Sequence, residues 1–478
     1  MDDRNSALLT DLYELTMIQG YYEFNNNPQV VFDMFFRRAP FGGGFAVFAG
    51  LDDLLDQLEK LRFREDDLEY LATLDLFKQE FLEYLQDFRF SGSVYAVHEG
   101  SLVFPGEPLI RIETNLIEAQ LIESMLLNTV NFQTLIATKA ARVLTASNYG
   151  KVLEFGLRRA QGVNGAMAAS RAAFIGGASA TSNTLAGKRF GIPVKGTMAH
   201  SWVMAFPSEQ ESFERYAELY PGSTILLIDT YSTLGSGIEA AIAVGKKMKE
   251  QGNNFGVRLD SGDLEYLSKQ VRRRLDNAGL TEATITASNE LNEEIVHQLV
   301  TSGSPIDSWG VGTNMVTGGA DSSLTGVYKL AAKTRDSELD PTIKLSNQPS
   351  KTTNPGVKQV YRFYDENDSP LADLIAVADE EISEGKRYTF YHPDLSARQF
   401  DMAHYARVEP LLEEVMSKGK RHAPRKSLRE LQDRCVEGLK RLDHTYQRII
   451  NPHVYKVSLS GKLAELKRKL VSRYTAEI

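Results

Sequence analysis

Leu8, Leu12, Leu15 and Ile18 recur at helical spacing, so residues 7–20 are expected to form an amphipathic helix that stops at Gly20. The apolar run VVFDMFF then reads as a strand, with a turn from Pro40 to Gly44 and a second apolar segment behind it. Residues 51–88 alternate acidic and leucine-rich faces and are expected to be helical. Between residues 91 and 113, β-branched and aromatic runs are cut by Glu99-Gly100 and Pro105-Gly106, a hairpin-like pattern. Residues 116–145 read as one long apolar helix. Together these elements make an α+β module of about 130 residues, an ordinary domain size.

The texture changes between residues 150 and 330. Short apolar strands (KVLEFG, PVKGTM, STILLID, FGVRLD, ATITASN, SWGVG) each end in a polar or glycine residue, and amphipathic helices such as LEYLSKQVRRRL and LNEEIVHQLV lie between them. That alternation predicts a parallel sheet with crossover helices. From Asp229 to Asp260 to Asn289 to Gly312 the steps are 31, 29 and 23 residues, close to one strand–helix unit each. About six units are legible, fewer than the eight of a regular barrel. An irregular or incomplete barrel is therefore expected, with an open doubly wound sheet as the alternative. Residues 340–395 return to strand-like segments, and 396–478 read as mainly helical and basic. The expected fold class is α/β. An N-terminal α/β domain (1–135, joined by 340–395) precedes an irregular barrel carrying the site (136–339), and a mainly helical C-terminal domain is appended (396–478).

Composition narrows the function. With 478 residues the chain exceeds what one core usually organises. A formal net charge of -9 argues against a generic grip on nucleic acid or anionic lipid, so a small-molecule partner is expected. Lys418, Lys420, Arg421, Arg425, Lys426 and Arg429 form a local basic run, read as a solvated loop and helix start. The single cysteine, Cys435, leaves no intramolecular disulfide or cysteine cluster and is read as an inert small side chain. Asp2 and Asp3 stand where a signal peptide would be basic, and no apolar run reaches the ~18 residues of a membrane span, so a cytoplasmic location is expected.

Parallel strand–helix folds gather their reactive groups at the carboxyl ends of the strands. Those ends supply Arg158 and Arg159, Thr197 and His200, Asp229, Arg258 and Asp260, Asn289 and Glu290, and Gly310 to Asn314. Arginines, carboxylates, a histidine and a glycine-rich turn suit phosphates and a metal-bound sugar. Gly310, Gly312, Thr313 and Asn314 (GVGTN) form a turn that could cradle a monophosphate, although such glycines more often serve the backbone alone. His200 is the histidine at a strand end among polar groups, with a structural role as the competing reading. GxGxxG and the P-loop pattern are absent, so neither a Rossmann dinucleotide site nor a Walker-type ATP site is supported, and with no HExxH or similar pair no metal ligand set is assigned.

TDLYELTM, FFRRAPFGGGFAVFAG, EFGLRRAQG, GTMAHS, VRLDSGDL and GVGTN occur in the order seen in nicotinate phosphoribosyltransferases, and KTTNPG extends the match. The chain resembles the bacterial long form of that family from about residue 8 to beyond 360. The resemblance implies an N-terminal α/β domain, an irregular barrel with its site at one mouth, and a homodimer in which one subunit completes the other's site. It implies condensation of nicotinate with phosphoribosyl pyrophosphate, giving nicotinate mononucleotide and pyrophosphate in NAD biosynthesis. ATP as co-substrate is hydrolysed through a phosphohistidine, with Mg2+ as the metal. By motif that histidine is His200. Tyr13 and Phe155 would sandwich the pyridine ring near Leu157, Thr197 and Ser201, with Arg258 close to the nicotinate carboxylate. Arg158, Gly312 and Thr313 would face phosphates and Asp260 the ribose hydroxyls, while Asn289, Lys329 and Thr353 carry over less closely.

Physical chemistry makes this set sensible. Breaking the bond from C1 to pyrophosphate creates an oxocarbenium-like sugar, which fixed carboxylates stabilise while Mg2+ and arginines neutralise the leaving group. A neutral imidazole is nucleophilic at pH 7 and can carry a phosphoryl group. Rival readings are a quinolinate transferase, which needs extra cations and no phosphohistidine, a nicotinamide transferase, and a non-catalytic paralogue.

Overall fold

The computed structural model describes residues 7–348, 351–395 and 397–475. Contacts divide the chain into two compact units: Met1–Leu135 with Ser323–Ser427 and Glu437–Ile478, and Ile136–Ser322 with Leu428–Val436.

In the first unit the strand Gln29–Phe36 pairs antiparallel with both Gly326–Arg335 and Ile110–Asn115. They lie in a seven-stranded sheet whose far side adds Ser93–Ala96, Glu413–Ser417 and Lys420–Arg421. Val30, Met34 and Phe36 enter its main core beside Leu54, Leu58, Phe81 and Ile122. A second, six-stranded sheet is built from residues 358–459. The first helix runs Leu12–Glu23, later than the apolar spacing suggests. Gly20 lies inside it, and Asn25, at φ 50°, supplies the left-handed residue after its end. The long apolar helix is two helices, Leu116–Leu121 and Glu123–Ala146.

The C-terminal extension is not mainly helical. Gln399–Met402, Arg407–Pro410, Glu413–Ser417, Lys420–Arg421 and Val457–Leu459 are strands, with Leu428–Arg441 and Gly461–Thr475 as the longer helices. Several of these strands expose most of their side chains, as in Glu413 and Glu414, so they lack the apolar run that marks a central strand. The basic run is also more than solvated loop. Arg421 is largely buried and pairs with Asp52, and Arg425 pairs with Asp56, both acids on the helix Leu51–Lys60. Cys435 is buried, and burial pushes its thiol up to about 12, which keeps it unreactive. No helix among the described residues is long and apolar enough to cross a membrane.

In the second unit all pairings are parallel, in the order Ala180–Thr181, Lys151–Glu154, Ser308–Val311, Thr284–Ala287, Gly256–Leu259, Ile225–Leu227. Apart from Ala180–Thr181 and Ile225–Leu227, which form the two edges and do not pair with each other, each strand neighbours the one next in sequence, and the last, Ser308–Val311, pairs with the first, Lys151–Glu154. An isolated bridge from Thr181 to Val194 extends one side, so the order is that of a ring of strands left unpaired between Val194 and Ile225–Leu227. PVKGTM, expected as a strand, contributes only that bridge. The two-residue strand Ala180–Thr181 takes the place beside Lys151–Glu154 and has no apolar run to announce it.

Val257, Leu259, Leu226 and Ile285 are fully buried against the crossover helices through Ile238, Ala241, Val244, Val271 and Leu275. Those helix residues recur every three or four positions, as one buried face requires. At Gly245 an added Cβ would fall 2.3 Å from the Phe255 ring, so glycine lets helix and strand close up.

Candidate active site

A cleft of about 480 Å³ opens where the parallel strands end. Each of the six strands contributes at or near its carboxyl end: Phe155, Ser182, Leu227, Arg258 with Asp260, Ser288, and Gly310 with Gly312. Strand geometry explains the selection. Val257 and Leu259 point to the helices, so Arg258, between them, points to the opposite face.

Arg258 organises the centre. Its Nε donates to Ser288 Oγ at 2.8 Å, Nη1 to Thr197 Oγ1 at 2.8 Å and to the Met198 carbonyl at 3.3 Å, and Nη2 to Asp260 Oδ1 at 2.9 Å. Ser288 also donates to Asp260. The carboxylate of Asp229, almost fully buried, accepts from the Asp260 backbone N–H at 2.9 Å and from Ser261 Oγ at 2.6 Å through Oδ2. Its Oδ1 is buried without a hydrogen-bond partner. His200 begins a short helix, His200–Met204. Its Nδ1 lies 3.2 Å from Thr230 Oγ1, and its Nε2 lies 3.9 Å from Asp229 Oδ1 and 3.8 Å from Asp260 Oδ2. The imidazole is 41% exposed, enough to meet a substrate from the cleft.

The walls have equally local causes. Phe155 follows the strand Lys151–Glu154, and its ring lies over Gly310, where a Cβ would stand 2.6 Å away. Leu157–Arg159 form a single turn with all three side chains exposed. Arg158 and Arg159 line the cleft and enter no ion pair among the described residues. Opposite, Asn289 and Glu290 both hold positive φ, 84° and 34°, an uncommon conformation for non-glycine residues that recurs at binding sites. Asn314 Nδ2 steadies that turn by donating to the carbonyls of Glu290 and Leu291 at 3.3 and 3.1 Å. Behind it, Glu293 accepts from Lys139 at 2.9 Å and Arg142 at 2.9 Å, a buried triad at the start of the helix Glu293–Thr301. Burial pushes the Glu293 carboxyl up, but the two cations outweigh it and hold the group below its ordinary value. Burial, partly offset by Glu293, pushes the Lys139 ammonium down.

Of the expected site residues, Phe155, Leu157, Arg158, Thr197, His200, Arg258, Asp260, Asn289, Gly312 and Thr313 line this cleft. Ser201 is exposed on the short helix beginning at His200 and is not among the lining residues. Tyr13, Lys329 and Thr353 belong to the first unit. There, Lys329 Nζ lies 3.7 Å from Glu123, and the Tyr13 phenol is pushed up to about 12 by partial burial and by Glu123 and Glu14. Thr353 is buried, and its hydroxyl accepts from the Lys344 N–H at 3.0 Å, closing a loop. Thr230 and Ser288 were not singled out in the sequence, although each adjoins a residue that was. Asp229 was legible as a strand-end carboxylate, but its link to His200 was not.

The model of the nicotinate phosphoribosyltransferase (NAPRTase) family matches residues 151–377, that of its N-terminal domain 8–131 and that of its C-terminal domain 357–467. The nicotinate phosphoribosyltransferase of Bacillus subtilis is 44% identical over 461 residues, covering 96% of this chain and 94% of that protein. The chain belongs to the nicotinate phosphoribosyltransferase family. The Dictyostelium discoideum nicotinate phosphoribosyltransferase is 36% identical, covering 97% of this chain and 88% of its own. The crystal structure of human nicotinic acid phosphoribosyltransferase superposes with a TM-score of 0.84 at 32% identity, covering 96% of this chain and 99% of the human one. A nicotinate-nucleotide pyrophosphorylase from Pyrococcus furiosus, at 22% identity and a TM-score of 0.72, shares the fold.

Proposed function

We propose that the chain transfers the phosphoribosyl group of phosphoribosyl pyrophosphate to nicotinate in NAD salvage, and that ATP hydrolysis is coupled to this transfer through His200. The observation that carries the reading is the convergence of His200, Asp229, Asp260 and Arg258 at one strand-end cleft in a chain of this family. Nicotinate is the nucleophile at the sugar, so the protein must orient it, stabilise positive charge at C1 and neutralise the pyrophosphate. Phe155 suits one face of the pyridine ring, and Arg258 and Thr197 suit its carboxylate. Asp260, with its backbone held by Asp229, suits the ribose hydroxyls and the developing cation. Arg158, with Gly312 and Thr313, suits phosphate oxygens.

His200 has a second task. An exposed imidazole near two carboxylates can accept the γ-phosphoryl group of ATP and return it to water, with Asp229 and Asp260 favouring the imidazolium formed in transit. No group of three or more His, Cys, Asp or Glu side chains among the described residues forms a metal cage. The unpartnered Oδ1 of Asp229 and the neighbouring Asp260 instead suit Mg2+ shared with substrate phosphates. When bound, the ion would neutralise the pyrophosphate.

Tyr13 would complete the aromatic sandwich in a homodimer. The first unit exposes Leu9, Leu12, Tyr13 and Met17 together around the start of its first helix, an apolar face that a second copy would cover. The deciding experiment measures pyrophosphate release with nicotinate, nicotinamide or quinolinate, each with and without ATP. Nicotinate should be used best and ATP should stimulate it. Equal use of nicotinamide, or indifference to ATP, would overturn the reading.

A further inference from the structure

We propose that Glu154, a carboxylate outside the reacting set, is the positioning residue that fixes the aromatic wall of the cleft and so sets affinity for the pyridine substrate. This rests on the reading of Phe155 as one face of the nicotinate site. Glu154 ends the first parallel strand with 1% of its surface exposed, and no cation pairs with it among the described residues. A buried anion without a counter-ion is costly unless donors surround it. Glu154 has three, from three different elements. One oxygen accepts from the backbone N–H of Gly156, the other from Ser170 Oγ at 2.9 Å and Thr181 Oγ1 at 2.5 Å. Ser170 belongs to the crossover helix Gly162–Ile175 and Thr181 to the adjacent strand.

These bonds bracket the wall. The bond to Gly156 spans Phe155 and sets the direction in which that residue leaves the strand. Gly156 is pressed against the neighbouring turn so closely that a Cβ would meet Val316 at 2.3 Å and the Gly312 carbonyl at 2.8 Å. Gly310 leaves the Phe155 ring the space it occupies. On the other side, the Glu154 carbonyl accepts from the N–H of Ser182, which lines the cleft, and Thr181 Oγ1 accepts from the N–H of Asn183. Through its carboxylate and its carbonyl, Glu154 thus ties two neighbouring walls together without itself lining the cleft. An apolar residue could fill the same buried position but could not hold the Gly156 N–H.

The test is a split between kinetic constants. In Glu154→Gln the amide keeps one acceptor oxygen, so the turn loosens without losing its packing. KM for nicotinate should rise about tenfold while kcat stays within about threefold, the pattern of lost binding rather than lost chemistry. KM for phosphoribosyl pyrophosphate should move far less. Glu154→Ala, with no acceptor, should raise KM for nicotinate further, so that Gln counts as a partial rescue. A purely structural role would instead lower the melting temperature and leave every kinetic constant unchanged, and that result would overturn the assignment. If Glu154→Gln does not fold, Ser170→Ala combined with Thr181→Val strips the same carboxylate of two donors. The same split is then expected, and its absence is equally decisive. Should the parent enzyme prefer another pyridine, the functional reading fails while Glu154 is still tested with that acceptor.

Discussion

The two units present their candidate residues in different ways. In the parallel sheet, most of the candidate residues line one cleft, and Arg258 bonds to both Thr197 and Asp260 there. In the antiparallel unit, Tyr13 is on a helix, Lys329 is in mid-strand opposite Asp33, and Thr353 is in a loop. Parallel topology converges every strand end on one point, so a strand's last residues announce a site. An antiparallel sheet sends neighbouring ends in opposite directions and makes no such announcement. The cleft should therefore carry the large effects and the first unit the small ones.

Asp260→Asn should give the largest effect. Its Oδ1 is held by Arg258 and Ser288, and its backbone by Asp229, so the carboxylate is preorganised for charge that develops in the transition state. Transfer should fall by about 10³-fold or more, with or without ATP, while the near-isosteric variant keeps its melting temperature. Pyrophosphate release within a few-fold of the parent would show that the centre of the cleft lies elsewhere.

Glu293→Gln probes support rather than chemistry. It leaves Lys139 and Arg142 without their shared carboxylate and should cost about 3 kcal/mol, read as a lower melting temperature. Because Glu293 is held below its ordinary value of 4.5, its contribution is fully present above that pH. It is lost as pH falls through the lower folded-state value. Chemical denaturation across that acid window should show the parent's advantage over the variant shrinking, and a constant gap would refute the sign.

His200→Ala should separate two reactions that the parent runs together. Only ATP turnover needs a covalent nucleophile here, because nicotinate itself attacks the sugar. Phosphohistidine and ATP hydrolysis should vanish, while a slow ATP-independent transfer persists. Its KM for phosphoribosyl pyrophosphate should be raised about 10- to 100-fold, because a phosphoryl group adds about two charges that can order neighbouring groups. Labelling by ATP equal to the parent's would remove His200 from its role.

How far the sequence carried each region follows from the same contrast. Alternating apolar strands and helices at near-constant spacing exposed the parallel sheet, and polar residues after each strand exposed Arg258, Asp260 and His200. What stayed hidden was contact between strands. Ser288 and Asp260 are 28 residues apart, and nothing local says that they bond. The short strand Ala180–Thr181 offers two residues where periodicity needs at least four. In the C-terminal region, strands such as Glu413–Ser417 pair with segments more than 300 residues earlier, so their partners were invisible and the region read as mainly helical.

The smallest effect should come from Tyr13, and it sharpens the comparison most. Tyr13 is 49% exposed on the first helix, beside Leu12 and Met17. Its phenol is pushed up to about 12 by partial burial, then by Glu123 and Glu14, so it is neutral near pH 7 and offers a ring rather than a charge. If that ring stacks on the pyridine of a partner subunit's site, Tyr13→Phe should change KM for nicotinate by no more than about twofold. Tyr13→Ala should raise it about tenfold, the upper end of what an aromatic contact contributes. Neither should alter kcat beyond about threefold, because no atom of Tyr13 is asked to act on the sugar or the pyrophosphate. A phenylalanine variant as impaired as the alanine variant would mean that the hydroxyl matters and that stacking is the wrong account. An alanine variant indistinguishable from the parent would mean that the first unit contributes no face to the site, and the cleft of the parallel sheet would have to hold nicotinate with Phe155 alone.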